Sequence, residues 1–285
     1  MNSFEKKLSV IVPAFNEASS IAETVTKVKA LPLTGEVIVV DDGSTDKTAE
    51  LALQNGARVI RHETNRGYGA SLKTGIRNAK YGLVGFVDAD GQQNPLDLLE
   101  LGKYIDEYDM VVGARDNQSH FPLWRRPGKK LIGSLANYLA GRKIPDFNSG
   151  LRLIKKDLIL PYLKMLPDGF SFSTTSTIFF IKEGYKTKYV PISVKKRKGK
   201  STLKARHGFD TIILVLRLIT MFEPLKIFLP ASIIIFAVGL VWALRELIMF
   251  HSFGATSIFL GITALLIFFV GLISDQIANL RKELK

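Results

Sequence analysis

Two stretches near the C-terminus, residues 227–244 and 253–274, contain no charged side chain. Each approaches the ~20 apolar residues a helix needs to cross the hydrocarbon core of a bilayer. Lipid leaves few folding options, because every backbone N–H and C=O must be satisfied internally, and a helix does so within one segment. Two spans this close together imply a hairpin. Buried core helices of a soluble domain are the competing reading, but such helices normally show a polar stripe at this length. The joining loop, residues 248–252, has no Lys or Arg, whereas residues 195–206 and Arg281, Lys282 and Lys285 lie outside the hairpin. Both termini are therefore expected on the cytoplasmic side of an integral membrane protein. Arg245 and Glu246 fall near the far end of the first span, where snorkelling or pairing accommodates them. Gly239, Gly261 and Gly271 would permit close helix contact, as in a homo-oligomer.

The 39 Lys and Arg against 26 Asp and Glu give a formal charge of +13, which favours polyanionic partners. Nucleic acid is not expected, because no nucleic-acid motif accompanies the charge and the basic residues crowd beside the apolar spans. The run at 195–206 reads KKRKGKSTLKAR and suits anionic membrane lipids. There is no cysteine, so thiolate metal sites and cysteine nucleophiles are excluded and any metal must use oxygen or histidine. Residues 1–7 are polar and lead into an apolar run that stops at Pro13. That run is too short for a signal-peptide core, so the N-terminal region is expected to stay in the cytoplasm.

From residue 8 to about 115 short apolar runs alternate with polar turns and helical stretches, the pattern of βαβ units in a mainly parallel sheet. Strands are expected at 8–13, 36–41, 58–61, 83–88 and 110–113, with helices near 19–30, 46–55, 67–79 and 96–107. Beyond an Arg/Lys/Pro-rich stretch at 115–130, a strand near 150–155 and helices near 157–165 and 174–183 complete a globular unit. The expected division is a catalytic domain over 1–205 and a juxtamembrane amphipathic helix over 206–224. Two transmembrane helices at about 227–249 and 253–274 follow within 225–285, with a short cytoplasmic tail.

The polar residues of interest fall at the C-terminal ends of the expected strands, the edge where open α/β sheets bind ligands. The first strand ends in Pro13-Ala14-Phe15-Asn16-Glu17, the second in Asp41-Asp42-Gly43-Ser44-Thr45-Asp46, and the fourth in Asp88-Ala89-Asp90-Gly91-Gln92. Hard oxygen ligands two residues apart, as in Asp88 and Asp90, can both face a divalent cation where the chain leaves a strand. Asp41 or Asp42 can accept hydrogen bonds from a base or ribose, Gly43 permits close backbone approach, and Ser44 or Asp46 can cap the next helix. Each motif alone reads as a turn and a helix cap; their order and spacing together do not.

With PxxNE, DDGS(T/P)D and DxD in that order, the chain resembles the family 2 glycosyltransferases of the GT-A fold over roughly residues 8–205. The fold class this implies is α/β: a GT-A nucleotide-sugar-binding domain, Rossmann-like, followed by a two-helix transmembrane hairpin. By the resemblance, Pro13, Asn16, Glu17, Asp41, Asp42, Ser44, Asp88 and Ala89 contact the nucleotide. Asp88, Asp90 and Gln92 surround Mg²⁺ or Mn²⁺, and Asp90 and Arg115 carry the catalysis. Gln92 and the two following spans are similar to the polyprenyl-phosphate glycosyltransferases, the group that includes dolichol-phosphate mannose synthase. The partners implied are a nucleotide-sugar donor, GDP-mannose or UDP-glucose, a polyprenyl phosphate acceptor and membrane lipids. Arg115 resembles the family's acceptor-phosphate arginine, Arg126, Lys129 and Ser134 a second acceptor element, and Arg197, Lys200 and Ser201 a basic loop in which Thr202 replaces the usual lysine. Asp146, Ser149 and Arg152 resemble an element beside the donor sugar; Arg152 as a structural ion pair is the alternative.

A hydroxyl nucleophile needs a base near the anomeric carbon, commonly a carboxylate late in the catalytic domain. Here the corresponding region reads Phe170-Ser171-Phe172-Ser173-Thr174-Thr175-Ser176, and the nearest acid is Asp168. A phosphate acceptor is already ionised and needs cations instead. The expected reaction is inverting transfer of one hexose to a polyprenyl phosphate. A transferase extending a saccharide or glycolipid hydroxyl, and a non-catalytic membrane scaffold, are the competing functions.

Overall fold

A computed structural model describes residues 7–115, 137–138, 141, 143–146, 149–194, 220 and 223–283. The chain divides into two compact units, Met1–Ala205 and Arg206–Lys285. The expected juxtamembrane helix at 206–224 falls almost wholly outside the described residues.

The first unit is built on a seven-stranded sheet: β1 (Leu8–Ala14), β2 (Thr34–Asp41), β3 (Arg58–Arg61), β4 (Leu83–Phe86), β5 (Met110–Arg115), β6 (Arg152–Lys155) and β7 (Thr187–Ile192). Their order across the sheet is β3-β2-β1-β4-β6-β5-β7. β1 pairs in parallel with β2 and β4. All seven residues of β1 are buried, as expected for a parallel strand covered on both faces. The arginines at both ends of β3 are exposed and charge that edge of the sheet.

On one face lie α1 (Ile21–Lys29) and α4 (Asp97–Gly102), whose Ile21, Val25, Val28, Leu98 and Leu101 share a core with Val10 and Val12. In α1 the buried Ile21, Val25 and Val28 recur at helical spacing, with Glu23 in the first turn and Lys27 and Lys29 in the last, matching the helix dipole. α2 (Thr48–Gln54) lies between β2 and β3 in sequence. Against the opposite face lie α3 (Tyr68–Asn78) and α5 (Phe172–Lys182). Gly75 of α3 sits tightly over Ile11, and Phe172 of α5 meets Phe86 edge-on at 6.2 Å. The first nine residues of α5 are all buried, including five consecutive Ser and Thr. Among these hydroxyls, Ser176 and Thr177 donate to the Ser173 carbonyl, an intrahelical outlet for polar groups away from water.

The α/β expectation and the strand sites hold, with two additions. β6 runs antiparallel between β4 and β5, and β7, absent from the sequence reading, pairs in parallel with β5. β7 carries Lys188 over the rings of Tyr104 and Tyr108 and a proline, Pro191, which an edge strand tolerates. Four of its six residues are partly buried, Pro191 is exposed and Ile192 alone is buried, so the strand carries no period-2 signal.

The second unit is a pair of long helices, α6 (Leu225–Phe250) and α7 (Ala255–Glu283). Only 11% and 17% of their most apolar windows are buried. Apolar surface exposed on this scale requires lipid rather than water. Glu246, the acid in the first span, accepts a hydrogen bond from Gly254 N–H at 2.8 Å. It thereby satisfies a donor where the chain enters α7. Arg245 lies over the Trp242 ring. Of the three glycines, Gly239 and Gly271 abut Leu260 and Phe228 of the other helix within the hairpin, whereas Gly261 faces open space. A Cβ on Gly271 would come within 2.6 Å of the Phe228 Cβ. Gly271→Leu is therefore expected to destabilise the hairpin by about 1–3 kcal/mol, the usual cost of overpacking. A lowered melting temperature of the detergent-solubilised protein, with Gly261→Leu as control, checks this.

Candidate active site

The chain passes from β3 through α3 to β4, crossing from one side of β1 to the other. That reversal makes the carboxyl ends of β1 and β4 the switch point at which open α/β sheets bind ligands. Two loops meet beside β1. Asn16 has a positive φ of 55°, which Asn tolerates better than most residues. Its backbone N–H donates to Ser44 Oγ and its side-chain carbonyl accepts from Thr45 N–H, both at 2.9 Å. Glu17 N–H donates to Thr48 Oγ1. Asp46 accepts from Ala18 N–H and from Thr48 at the start of α2. Those bonds outweigh burial and hold the Asp46 carboxyl below the usual range. The PxxNE and DDGSTD segments thus form one braced rim. Pro13 lies within β1, paired with Val40.

Both aspartates of the DDGS segment are buried. Asp41 accepts from Ser44 N–H and pairs with Arg61 at 3.1 Å. Asp42 is engaged by protein donors on both oxygens. Its Oδ1 meets His62 Nδ1 at 2.7 Å and Arg66 N–H at 2.9 Å, and its Oδ2 accepts Gly67 N–H at 2.8 Å. His62 is anchored in turn to Thr74 of α3. Asp42 therefore fixes the loop leading into α3.

Asp88, just past the end of β4, is held on both oxygens. Tyr68 O–H donates to its Oδ1 at 2.9 Å and Gln93 Nε2 to its Oδ2 at 2.6 Å, while Gln93 Oε1 accepts Asp88 N–H. Burial, then the neighbouring Asp90 carboxylate, raises the Asp88 pKa to about 6. The Tyr68 hydrogen bond and the cations of Arg115 and Arg152 work against that rise. Burial and Asp88 push the Tyr68 phenol well up, so it remains a neutral donor. Asp90 accepts from Gln92 N–H. Gln93, adjacent to the glutamine singled out from sequence, supplies the side chain that grips Asp88. Ala89 is buried between the two carboxylates.

β6 brings the remaining groups. Its register sets Phe86 opposite Arg152, so the continuation of both strands sets Asp88 against Gly150. A Cβ at Gly150 would stand 2.3 Å from Asp88 Oδ2. Arg152 is fully buried. Its guanidinium donates to the carbonyls of Ser149 and Ser173 and to the hydroxyls of Ser176 and Thr177. It makes no direct ion pair among the described residues, so the structural ion pair considered from sequence is replaced by hydrogen bonds to neutral groups. Burial lowers its pKa. The Ser149 hydroxyl is buried without a hydrogen-bond partner among the described residues. Arg115, at the end of β5, makes a two-pronged pair with Asp146 through Nε at 2.7 Å and Nη2 at 3.0 Å. That pairing holds Arg115 above the ordinary arginine value. Arg126, Lys129, Ser134, Arg197, Lys200 and Ser201 lie outside the described residues.

No group of three His, Cys, Asp or Glu assembles into a metal cage among the described residues. Asp88 and Asp90 instead offer two hard, mutually repelling carboxylates. Such a pair suits an ion of the magnesium type, which takes one or two protein carboxylates and completes its shell with water and substrate phosphate.

The glycosyl transferase family 2 model matches residues 9–162, which hold every element just described at the edges of β1, β2 and β4. The chain belongs to glycosyl transferase family 2. A second match, the GtrB C-terminal hairpin, covers residues 223–280 of this family 2 chain. An uncharacterized protein of Methanocaldococcus jannaschii is 36% identical over 196 residues, 65% of this chain and 80% of that protein. An undecaprenyl-phosphate 4-deoxy-4-formamido-L-arabinose transferase of Photorhabdus laumondii is 31% identical over 169 residues, 55% of this chain and 52% of that protein. The chain thus spans about half the length of that transferase. Among solved structures, glucosyl-3-phosphoglycerate synthase from Mycobacterium tuberculosis with phosphoglyceric acid superposes with a TM-score of 0.62 at 20% identity, covering 75% of this chain and 79% of that one. The same synthase with Mn²⁺, uridine diphosphate and glucosyl-3-phosphoglycerate gives 0.60 at 20% identity, with the same coverage of both chains. These superpositions establish the GT-A fold.

Gly150→Ala is expected to displace Asp88 and lower turnover of this family 2 chain at least ~10-fold, the scale on which small misplacements act. The thermal transition should stay within a few degrees of wild type. Donor turnover and melting of the same preparation check both halves.

Proposed function

We propose that the protein transfers one hexose from a nucleotide-sugar to a polyprenyl phosphate, with inversion, at the cytoplasmic face of a membrane. The observation that carries this reading is the Asp88–Asp90 pair at a family 2 sheet edge in a chain that also bears its own apolar hairpin. The name of the Photorhabdus laumondii relative, an undecaprenyl-phosphate transferase, supports the acceptor class. The Mn²⁺ and uridine diphosphate in the Mycobacterium tuberculosis synthase support a metal and a nucleotide donor.

Asp88 and Asp90 would hold the divalent ion, which when bound offsets charge on the departing nucleoside diphosphate. The rim formed by Pro13, Asn16, Glu17 and Ser44 bounds the nucleoside. Arg115, oriented by Asp146 and firmly protonated, would meet the acceptor phosphate, and Arg126, Lys129, Arg197 and Lys200 are the further cations that the sequence offers it. One phosphate oxygen of the acceptor forms a bond to the sugar C1 as the bond from C1 to the donor diphosphate breaks, its electron pair leaving with the nucleotide. No proton has to be removed. In keeping with that, Asp168, the acid nearest the start of α5, is paired with Lys73 at 2.7 Å. A saccharide hydroxyl acceptor would call for a free base there.

Purified protein incubated with Mn²⁺, a short-chain polyprenyl phosphate and radiolabelled UDP-glucose or GDP-mannose is expected to move label into the organic phase. EDTA should abolish transfer, and Asp90→Ala should reduce it by at least ~10²-fold, the loss seen when a transition-state charge partner is removed. Label on a saccharide instead of the lipid would sink the acceptor assignment, and full activity in Asp90→Ala would sink the metal assignment. The natural absence of cysteine allows a direct topology test. A single cysteine at Ser252 should react with an impermeant maleimide only from the non-cytoplasmic side, and one at Lys285 only from the cytoplasmic side.

A further inference from the structure

Beside the carboxylate pair stands an aromatic ledge that the mechanism above does not use. Phe170 is 63% exposed, yet its ring is not loose. It stacks on Tyr68 with centroids 5.7 Å apart and planes 15° from parallel, an offset arrangement that aromatic rings favour. The turn that carries it is fastened to α3 at several points. Ala70 N–H donates to the Asp168 carbonyl at 2.9 Å, and the largely buried Lys73 reaches Asp168 Oδ1 at 2.7 Å. A Cβ on Gly67 would lie 2.5 Å from the Asp168 carbonyl oxygen, and one on Gly69 2.3 Å from that of Pro167. Two glycines are thus required for the turn to lie this close. Tyr68, the other half of the ledge, donates from its hydroxyl to Asp88 Oδ1. One side chain therefore joins the exposed ring to the carboxylate proposed to hold the metal and diphosphate.

We propose that Phe170 is the aromatic wall of the donor-sugar subsite, its ring receiving the C–H face of the hexopyranose. This rests on the donor reading given above. The sugar is bonded directly to the diphosphate, and the exposed Phe170 ring is joined to Asp88 through one side chain, Tyr68. A ring-sized platform matches a pyranose. A polyprenyl chain would need a continuous apolar strip, and among the described residues the ring contact of Phe170 is with Tyr68 alone. Arg115, the described cation that would meet the acceptor, stands at the end of β5 and is held there by Asp146, so the acceptor phosphate has a partner other than the ring.

Full-length Phe170→Ala, Phe170→Trp and wild type are titrated with UDP, GDP, UDP-glucose and GDP-mannose in Mn²⁺ without acceptor, then assayed for transfer. In Phe170→Ala, affinity for the sugar nucleotide bound by wild type is expected to fall about five- to tenfold, the scale of one stacking contact. Affinity for the matching free nucleoside diphosphate should change less than about twofold, and Phe170→Trp should restore sugar-nucleotide binding. Parallel loss of free-nucleotide affinity would make the ring a brace for Asp88, and a change confined to the acceptor KM would assign it to the lipid; either overturns the proposal, as does an unchanged Phe170→Ala. Wild type that binds a sugar nucleotide but labels no lipid defeats the acceptor reading and leaves this assignment standing on the binding data. Wild type that binds neither sugar nucleotide overturns both.

Discussion

Two carboxylates held close together in a partly buried strand end repel each other, and the order of the catalytic unit follows from how that repulsion is met. Asp88 is gripped on both oxygens by neutral donors, Tyr68 and Gln93, so its position does not depend on a counter-ion. The positive charge nearby is kept at one remove. Arg152 is buried among carbonyls and hydroxyls, and Arg115 is committed to Asp146. A buried guanidinium without a carboxylate partner is costly, and its hydrogen bonds to Ser149, Ser173, Ser176 and Thr177 meet the donors without cancelling the charge. Its field acts on Asp88 through a low-dielectric interior.

The antiparallel insertion of β6 makes this arrangement possible. It places Gly150 against Asp88 and Arg152 behind it on the same face, and it ties the start of α5 to the sheet through the Ser173 carbonyl. α3 closes the other side, with Asp42 and His62 fixing its entry and Tyr68 at its first turn. Three segments far apart in sequence thereby converge on one carboxylate. The hairpin unit follows a different physics, in which close glycine contacts and the Glu246 cap replace hydrophobic burial.

Within the protein, Asp42 accepts hydrogen bonds from the loop at 62–67, and Asn16, expected at the nucleotide, and Asp46, expected as a helix cap, lace two loops together. Their motif positions were plain, but motif position does not reveal which way a carboxylate points. Tyr68, Gln93, His62 and Phe170 were not singled out, because a tyrosine or phenylalanine at a helix start reads as ordinary core. Gln93 stood one residue from a glutamine that was noticed, and only the turn geometry decides which of the two reaches back to Asp88.

The sequence by itself determined the elements and their general use. Uncharged runs of about twenty residues favour membrane helices over core helices, which would carry a polar stripe, and buried parallel strands need continuous apolar runs that end in polar turns. Both signals are local, set by solvent and backbone hydrogen bonding over one segment. The strand order β4-β6-β5, the edge strand β7, the clasp on Asp88, the burial of Arg152 among carbonyls and hydroxyls and the aromatic ledge at Phe170 came only from tertiary structure. Each depends on contacts between residues separated by up to a hundred positions, and no periodicity along the chain encodes which partner a side chain meets across the sheet.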